Sequence, residues 1–288
     1  MSRPSPVFRP YRLVVALAAG GALLGGGLAG TSARAESAKV GGVYDISFGG
    51  IDFAEGTLSL VVEGDAYSAK VSMRPSAVAR IFSSETVDAQ ASGWLKAGAV
   101  LPARYSMRAA NSEKASSVAM GLSAGVVKTV EVTPKPKVHR DQVPVESRHW
   151  RGVLDPLSAV VMAVKDPSAA TGPAACDRTL PIYDGWTRFD VPLSYKGMET
   201  VETKSYRGPA IVCAARFVPV AGHRRNKESV KFMQDNRDLE VWLAPVGGTG
   251  LLVPYKISVG TMRGKLVVQA RDVKMSGPKV TSAAVAAP

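Results

Sequence analysis

The sequence predicts a mainly β fold: a curved antiparallel sheet forming a barrel, half-barrel or β-spiral, with one or two short helices. Three observations carry this expectation. Apolar and polar residues alternate with period two from residue 41 onward. Two such runs flank Gly64-Asp65, the pattern of a hairpin. Turn signals then recur at short spacing to residue 264, as in an all-β domain.

The N-terminus reads differently from the rest. Arg3, Arg9 and Arg12 precede an uncharged run, LVVALAAGGALLGGGLAG, and then Thr31-Ser32-Ala33-Arg34-Ala35. A basic start, an apolar middle and an Ala-x-Ala-type end make a secretion signal over residues 1–35, cut after Ala35. The apolar run barely reaches the ~20 residues that span a bilayer, and glycine weakens it as a helix. No cysteine lies near the cut for a lipid anchor, and no Arg-Arg pair marks the twin-arginine route. The expected mature protein is therefore exported and does not span a membrane.

Strands are expected at 43–48, 58–62, 67–73, 86–94, 103–108, 116–122 and 126–132, with a short helix at 75–82. In residues 133–149, Pro134, Pro136 and Pro144 stand among charged side chains, which reads as an exposed, linker-like loop. Leu154-Asp155-Pro156-Leu157-Ser158 then reads as a helix start, with Asp155 as the cap and Pro156 in the first turn. Leu157, Val160, Val161 and Val164 form its apolar stripe, and Pro167 ends it. Further strands are expected at 180–183, 186–195, 209–218, 239–243, 251–259 and 264–272, with a helix at 226–234. One domain, 36–273, is followed by a Ser/Ala/Pro-rich tail, 274–288, expected to be disordered.

Cys176 and Cys213 are the two cysteines of the chain. In an oxidising compartment a separated pair reads as a structural disulfide, since redox-active pairs usually stand as Cys-x-x-Cys.

The formal net charge is +12; removing the signal takes four arginines and no acid, leaving +8. A basic protein is drawn to anionic surfaces. Two basic clusters stand out: Lys135, Lys137, His139 and Arg140, and His223, Arg224, Arg225 and Lys227. Aromatics are not interleaved with them, so a nucleic-acid groove is not expected.

Catalytic signals are weak. Gly121-Leu122-Ser123-Ala124-Gly125 matches the G-x-S-x-G pattern, but that motif needs a helix after it, and Val126-Val127-Lys128-Thr129-Val130 is β-like. It reads as a hairpin turn. His139, His149 and His223 lack the close spacing of zinc ligands, so no metal and no cofactor is expected. Tyr183-Asp184-Gly185-Trp186 reads as a hairpin turn more simply than as a binding loop. Asp184 and Asp190 define no acid/base pair.

Several segments resemble a known family. They are Leu154-Asp155-Pro156-Leu157-Ser158, then Cys176 through Leu180-Pro181-Ile182-Tyr183-Asp184-Gly185, and Arg188-Phe189-Asp190. Tyr206-x-Gly208-Pro209, Glu240-Val241-Trp242-Leu243-Ala244-Pro245, Leu252-Val253-Pro254-Tyr255-Lys256-Ile257 and Gly264 continue the pattern. In order and spacing, over about 40–272, they resemble an exported bacterial family known only as domain of unknown function 3108. The resemblance implies a periplasmic β-rich fold similar to the open barrels of lipoprotein carriers, and supplies no catalytic residues.

The expected function is therefore non-enzymatic. The protein would bind a lipid, a lipoprotein acyl chain or another envelope component and support cell-envelope integrity. The groove would be lined by inward residues such as Leu58, Leu60, Tyr255 and Ile257. The alternatives are a scaffold that binds peptidoglycan or a partner protein through basic loops, with Arg224 and Arg225 as contacts, and a serine hydrolase using Ser123.

Overall fold

A computed structural model describes residues 37–77, 79–81 and 84–277. The expected export signal and its cleavage site lie outside the described residues, as does the tail from 278.

The first half is a meander. Its strands are β1 (Ser37–Phe48), β2 (Ile51–Glu63), β3 (Ala66–Pro75), β4 (Thr86–Lys96), β5 (Ala99–Ala110), β6 (Ala115–Ser123) and β7 (Val126–Thr133). Each pairs antiparallel with the next. The expected Gly64-Asp65 hairpin is present, with Glu63 opposite Ala66. At the G-x-S-x-G segment, Ser123 faces Val126 across Ala124 and Gly125, both with positive φ. That is a tight two-residue hairpin turn, not a nucleophile elbow.

The second half adds β8 (Met162–Ala163), β9 (Thr179–Tyr183), β10 (Arg188–Glu202), β11 (Arg207–Ala215), β12 (Val218–Ala221), α1 (Glu228–Asp235), β13 (Leu239–Val246), β14 (Leu251–Thr261) and β15 (Gly264–Ser276). The sheet runs β12-β10-β11-β13-β14-β15-β1-β2-β3-β4-β5-β6-β7, with β8 attached to β14 and β9 to β10. It does not close: β7 and β12 are its two ends.

Alternation decides which side chains turn inward. In β1 and β2, Val40 faces Leu60 and Ala38 faces Val62, all buried. The inner face is filled by the segment that leaves β7 and crosses it. Val153, Leu157, Val161 and Ala163 share one core with Leu58, Leu60, Tyr67, Val118 and Tyr255. Each fully buried Leu or Val contributes roughly 1.5–3 kcal/mol. Met162 and Val164 point the other way, into a second core with Leu193, Ile211, Leu243 and the disulfide cysteines.

That two-sided burial corrects the helix expected from Asp155 onward. Asp155 does cap a turn, accepting from the N–H groups of Leu157 and Ser158 at 3.0 and 2.8 Å. The turn is a single 3-10 turn, Ser158–Val160, and the chain then extends into β8. An extended backbone sends successive side chains to opposite faces, which suits Val161 to Val164 between two cores; a helical stripe would serve only one.

Other boundaries shift too. The helix expected at 75–82 is a 3-10 turn, Ala79–Ile81, because β3 runs on to Pro75. The helix expected at 226–234 is found as α1. The strand expected at 186–195 continues to Glu202 through a bulge between Tyr195 and Gly197. The strand expected at 209–218 is two, β11 and β12. Lys274 to Ser276, expected in the tail, pair with β1 instead. Among the described residues, no helix is long and apolar enough to cross a membrane.

Candidate functional site

The four expected groove residues do not form a groove. Leu58, Leu60 and Tyr255 are buried in the filled inner core. Ile257 packs against the second core instead. A bulge between Trp242 and Leu243, opposite Tyr255, breaks the alternation that seemed to align Tyr255 with Ile257. Around Leu58, Leu60 and Tyr255 the inner face of the sheet is packed.

The open end of the sheet carries a different cavity. β7 pairs with β6 on one side. On its other side, residues 128–133 receive no strand. Next to this free edge lies a groove of about 730 Å³, lined chiefly by Val130, Val132, Val145, Trp150, Tyr183 and Trp186, with Lys135 and Gln142 among its polar lining residues. Val138 lines it too and is 78% exposed. A concave, mostly apolar site with a few placed polar groups is the usual form of a ligand site.

Two local structures shape the groove. The first is the turn between β9 and β10. Asp184 Oδ1 accepts from the N–H groups of Trp186 and Thr187 at 2.8 and 2.6 Å, and Oδ2 accepts from the Thr187 hydroxyl at 2.5 Å. Gly185 has φ +98°, and a Cβ there would lie 2.6 Å from Val118 Cγ1. Only glycine fits both the conformation and the space. Gly185→Ala is expected to cost roughly 1–3 kcal/mol; urea unfolding checks this, and an unchanged midpoint would count against the packing described. The turn is therefore the expected hairpin, and its flanking aromatics are also walls of the groove.

The second is the loop 134–146, within the segment 133–149 expected as an exposed, linker-like loop. It is pinned. Val143 donates its N–H to the His223 carbonyl at 2.9 Å, and Gly222 returns one to Val143 at 2.8 Å. Gln142 Nε2 donates to the Gly222 carbonyl at 2.9 Å. Arg224 Nε reaches Asp141 Oδ1 at 3.0 Å, and the Arg225 N–H bonds the Asp141 carbonyl at 2.9 Å. These contacts bring the two basic clusters together across about eighty residues of sequence. Lys135 and Glu131 are the charged residues that line the groove; Lys137 and Arg140 share the Lys135 loop, and Arg225 and Lys227 lie on the loop bonded to it, where Arg224 pairs with Asp141.

Burial lowers the pKa of His223, opposed by the Ala221 carbonyl and aided by Arg225, so its imidazole is neutral near pH 7. Burial raises the Tyr183 hydroxyl, with the Trp150 indole opposing. The groove thus has an apolar wall, with Lys135 and Glu131 in its lining and two basic loops next to it.

The remaining candidates stay apart. Ser123 is exposed at the far end of β6. His149 Nδ1 accepts the Glu146 N–H at 3.0 Å, a local cap. Among the described residues, no three His, Cys, Asp or Glu side chains form a group able to hold a metal ion. Cys176 and Cys213 are bonded as expected, with Cα atoms 5.5 Å apart. Sequence reasoning noted both basic clusters and the Tyr-Asp-Gly-Trp turn but not their adjacency, nor the part played by Trp150 and Val145.

A family model described as "Protein of unknown function (DUF3108)" matches residues 43–271. A search of curated proteins finds no match. Among solved structures, a similar chain is titled "Crystal Structure of Beta-barrel-like Protein of Domain of Unknown Function DUF1849 from Brucella abortus". It is 10% identical, with a TM-score of 0.43, covering 84% of this chain and 98% of that one.

Proposed function

We propose, for a chain that belongs to the DUF3108 family of proteins of unknown function, a non-catalytic role in binding an amphiphile with an apolar chain and an anionic head. The observation that carries this reading is the apolar groove beside β7, lined in part by one basic loop to which the second is hydrogen-bonded. The chain would lie against Val132, Val145, Trp150 and Trp186. The head would meet Lys135, Arg225 and their neighbours. An anionic membrane lipid has this chemistry, and the acyl chains of a lipoprotein supply its apolar part. In this reading the protein works in the periplasm and supports the cell envelope. The Cys176–Cys213 disulfide supports an oxidising setting.

The test uses protein beginning at Glu36 and a fluorescent long-chain fatty acid. Saturable binding is expected, weakening as salt rises because the head is held by exposed charge. Val138→Asp puts a carboxylate on an exposed groove wall, and should weaken binding about tenfold, a loss of about 1.4 kcal/mol, with no change in thermal unfolding. Equal binding by Val138→Asp and the parent protein, or no saturable binding at all, overturns the proposal. Arg225→Glu should flatten the salt dependence.

A further inference from the structure

Large apolar side chains are exposed at two neighbouring hairpin tips. The β1–β2 turn is flanked by Phe48, 37% exposed, and Ile51, 68% exposed; the β14–β15 turn carries Met262, 47% exposed. The tips touch. Gly49 donates its N–H to the Lys265 carbonyl at 2.9 Å. The Phe48 ring lies 3.4 Å from where a Cβ on Gly264 would stand, so glycine lets the ring lie flat against the second tip. None of the three side chains belongs to either core. An isolated exposed Leu or Met needs no explanation, but three grouped at the extremity of a sheet form a patch.

The same pole carries the basic loops. Alternate strands of an antiparallel sheet end together, so the C-terminal ends of β1 and β7 share one end. The link is continuous in hydrogen bonds. At the β14 tip, Asn236 Nδ2 donates to the Gly260 carbonyl and the Gly260 N–H to the Asp238 carbonyl, both at 2.7 Å. Asn236 caps the end of α1, whose start, Lys227, adjoins Arg224 and Arg225. Arg263 and Lys231 add positive charge along this path. The exposed acids along it are Asp52 beside Ile51 and Glu228 and Asp235 on α1, and Asp238 is paired with Lys265 at 2.9 Å.

We infer that this pole seats the protein on an anionic lipid bilayer. Phe48, Ile51 and Met262 enter the headgroup boundary, and the basic loops face the phosphates. Apolar burial at the boundary combined with attraction to anionic lipid is the physics of interfacial proteins. Charge complementarity selects an anionic bilayer over an uncharged partner. The apolar tips are separate from the groove, whereas the basic loops are shared with it.

Co-sedimentation with vesicles of phosphatidylethanolamine, with and without phosphatidylglycerol, tests it. The protein from Glu36 is expected to sediment with the phosphatidylglycerol vesicles, and less so as salt rises. The double variant Ile51→Glu with Met262→Glu should bind them at least about tenfold more weakly while keeping its thermal unfolding and its affinity for the fatty acid. The single Ile51→Glu serves if the double variant folds poorly. No sedimentation of the parent protein, or equal sedimentation of the variants, overturns the inference. Val138→Asp should still sediment, so loss of fatty-acid binding and loss of vesicle binding separate the two proposals.

Discussion

Replacing Asp155 by alanine should destabilise the fold by roughly 2–4 kcal/mol, because it strips three hydrogen bonds from a fully buried site. Its carboxylate accepts from the Leu157 N–H, the Ser158 N–H and, at 2.5 Å, the Ser158 hydroxyl. Ser158 Oγ in turn lies 2.6 Å from the Tyr67 hydroxyl on β3. This chain of contacts fixes the crossing segment to the sheet it fills. Alanine leaves those donors buried without partners. Asparagine keeps the acceptor for both N–H groups and should cost much less.

The pH dependence has a definite sign. Burial raises the Asp155 pKa above its ordinary 3.8, and the Ser158 and Leu157 hydrogen bonds only partly oppose it. A group with a raised folded-state pKa adds stability below its unfolded value and loses it as pH rises through the folded value. The parent protein should therefore lose stability relative to Asp155→Asn from about pH 4 upward. Urea unfolding at several pH values reads this directly. A gap between the two proteins that does not move with pH would refute the assignment.

Loss of the disulfide is the second large effect. Cys176 and Cys213 are 37 residues apart and fully buried in the second core. The bond ties the 3-10 turns at Pro167–Thr171 and Pro173–Ala175 to β11. In the chain-entropy account a loop of this size contributes about 4 kcal/mol. The double variant Cys176→Ala with Cys213→Ala should lose about 3–4 kcal/mol, with a small further cost for the space left by two sulfur atoms. The parent protein unfolded in reductant should show a similar loss. A double variant as stable as the parent would mean that packing alone holds this region.

Much of the β architecture was legible because its signals are local. Alternation in β1 to β7 and the turns at Gly64-Asp65 and Ala124-Gly125 each involve a few consecutive residues. The disulfide was legible because only one pairing was available. Asp155 was rightly read as a cap, since an Asp before Pro-x-Ser supplies its acceptor to its own chain. The helix after it was misread because Leu157, Val160, Val161 and Val164 satisfy a helical stripe as well as they satisfy a strand between two cores. Nothing in those residues says that both sides will be covered.

The site was less legible than the fold. Inward-facing Leu58, Leu60 and Tyr255 were correctly taken as apolar interior, but a sequence does not state whether an interior is filled. Val153, Leu157 and Val161 fill it only because the crossing segment folds back under the sheet. Ile257 was misplaced by a bulge opposite Tyr255, which shifts register without a residue-type signal.

The sequence by itself thus determined a mainly β chain, its principal turns, its cysteine pair and two basic clusters, each a matter of neighbours along the chain. Tertiary structure alone decided that the sheet stays open, that its inner face is packed around Leu58, Leu60 and Tyr255, and that Lys135 to Arg140 lie beside His223 to Lys227 next to an apolar groove. The reason is physical: period and turn chemistry act over a few residues, whereas the meeting of two loops depends on the summed curvature of the strands between them and on what packs beneath.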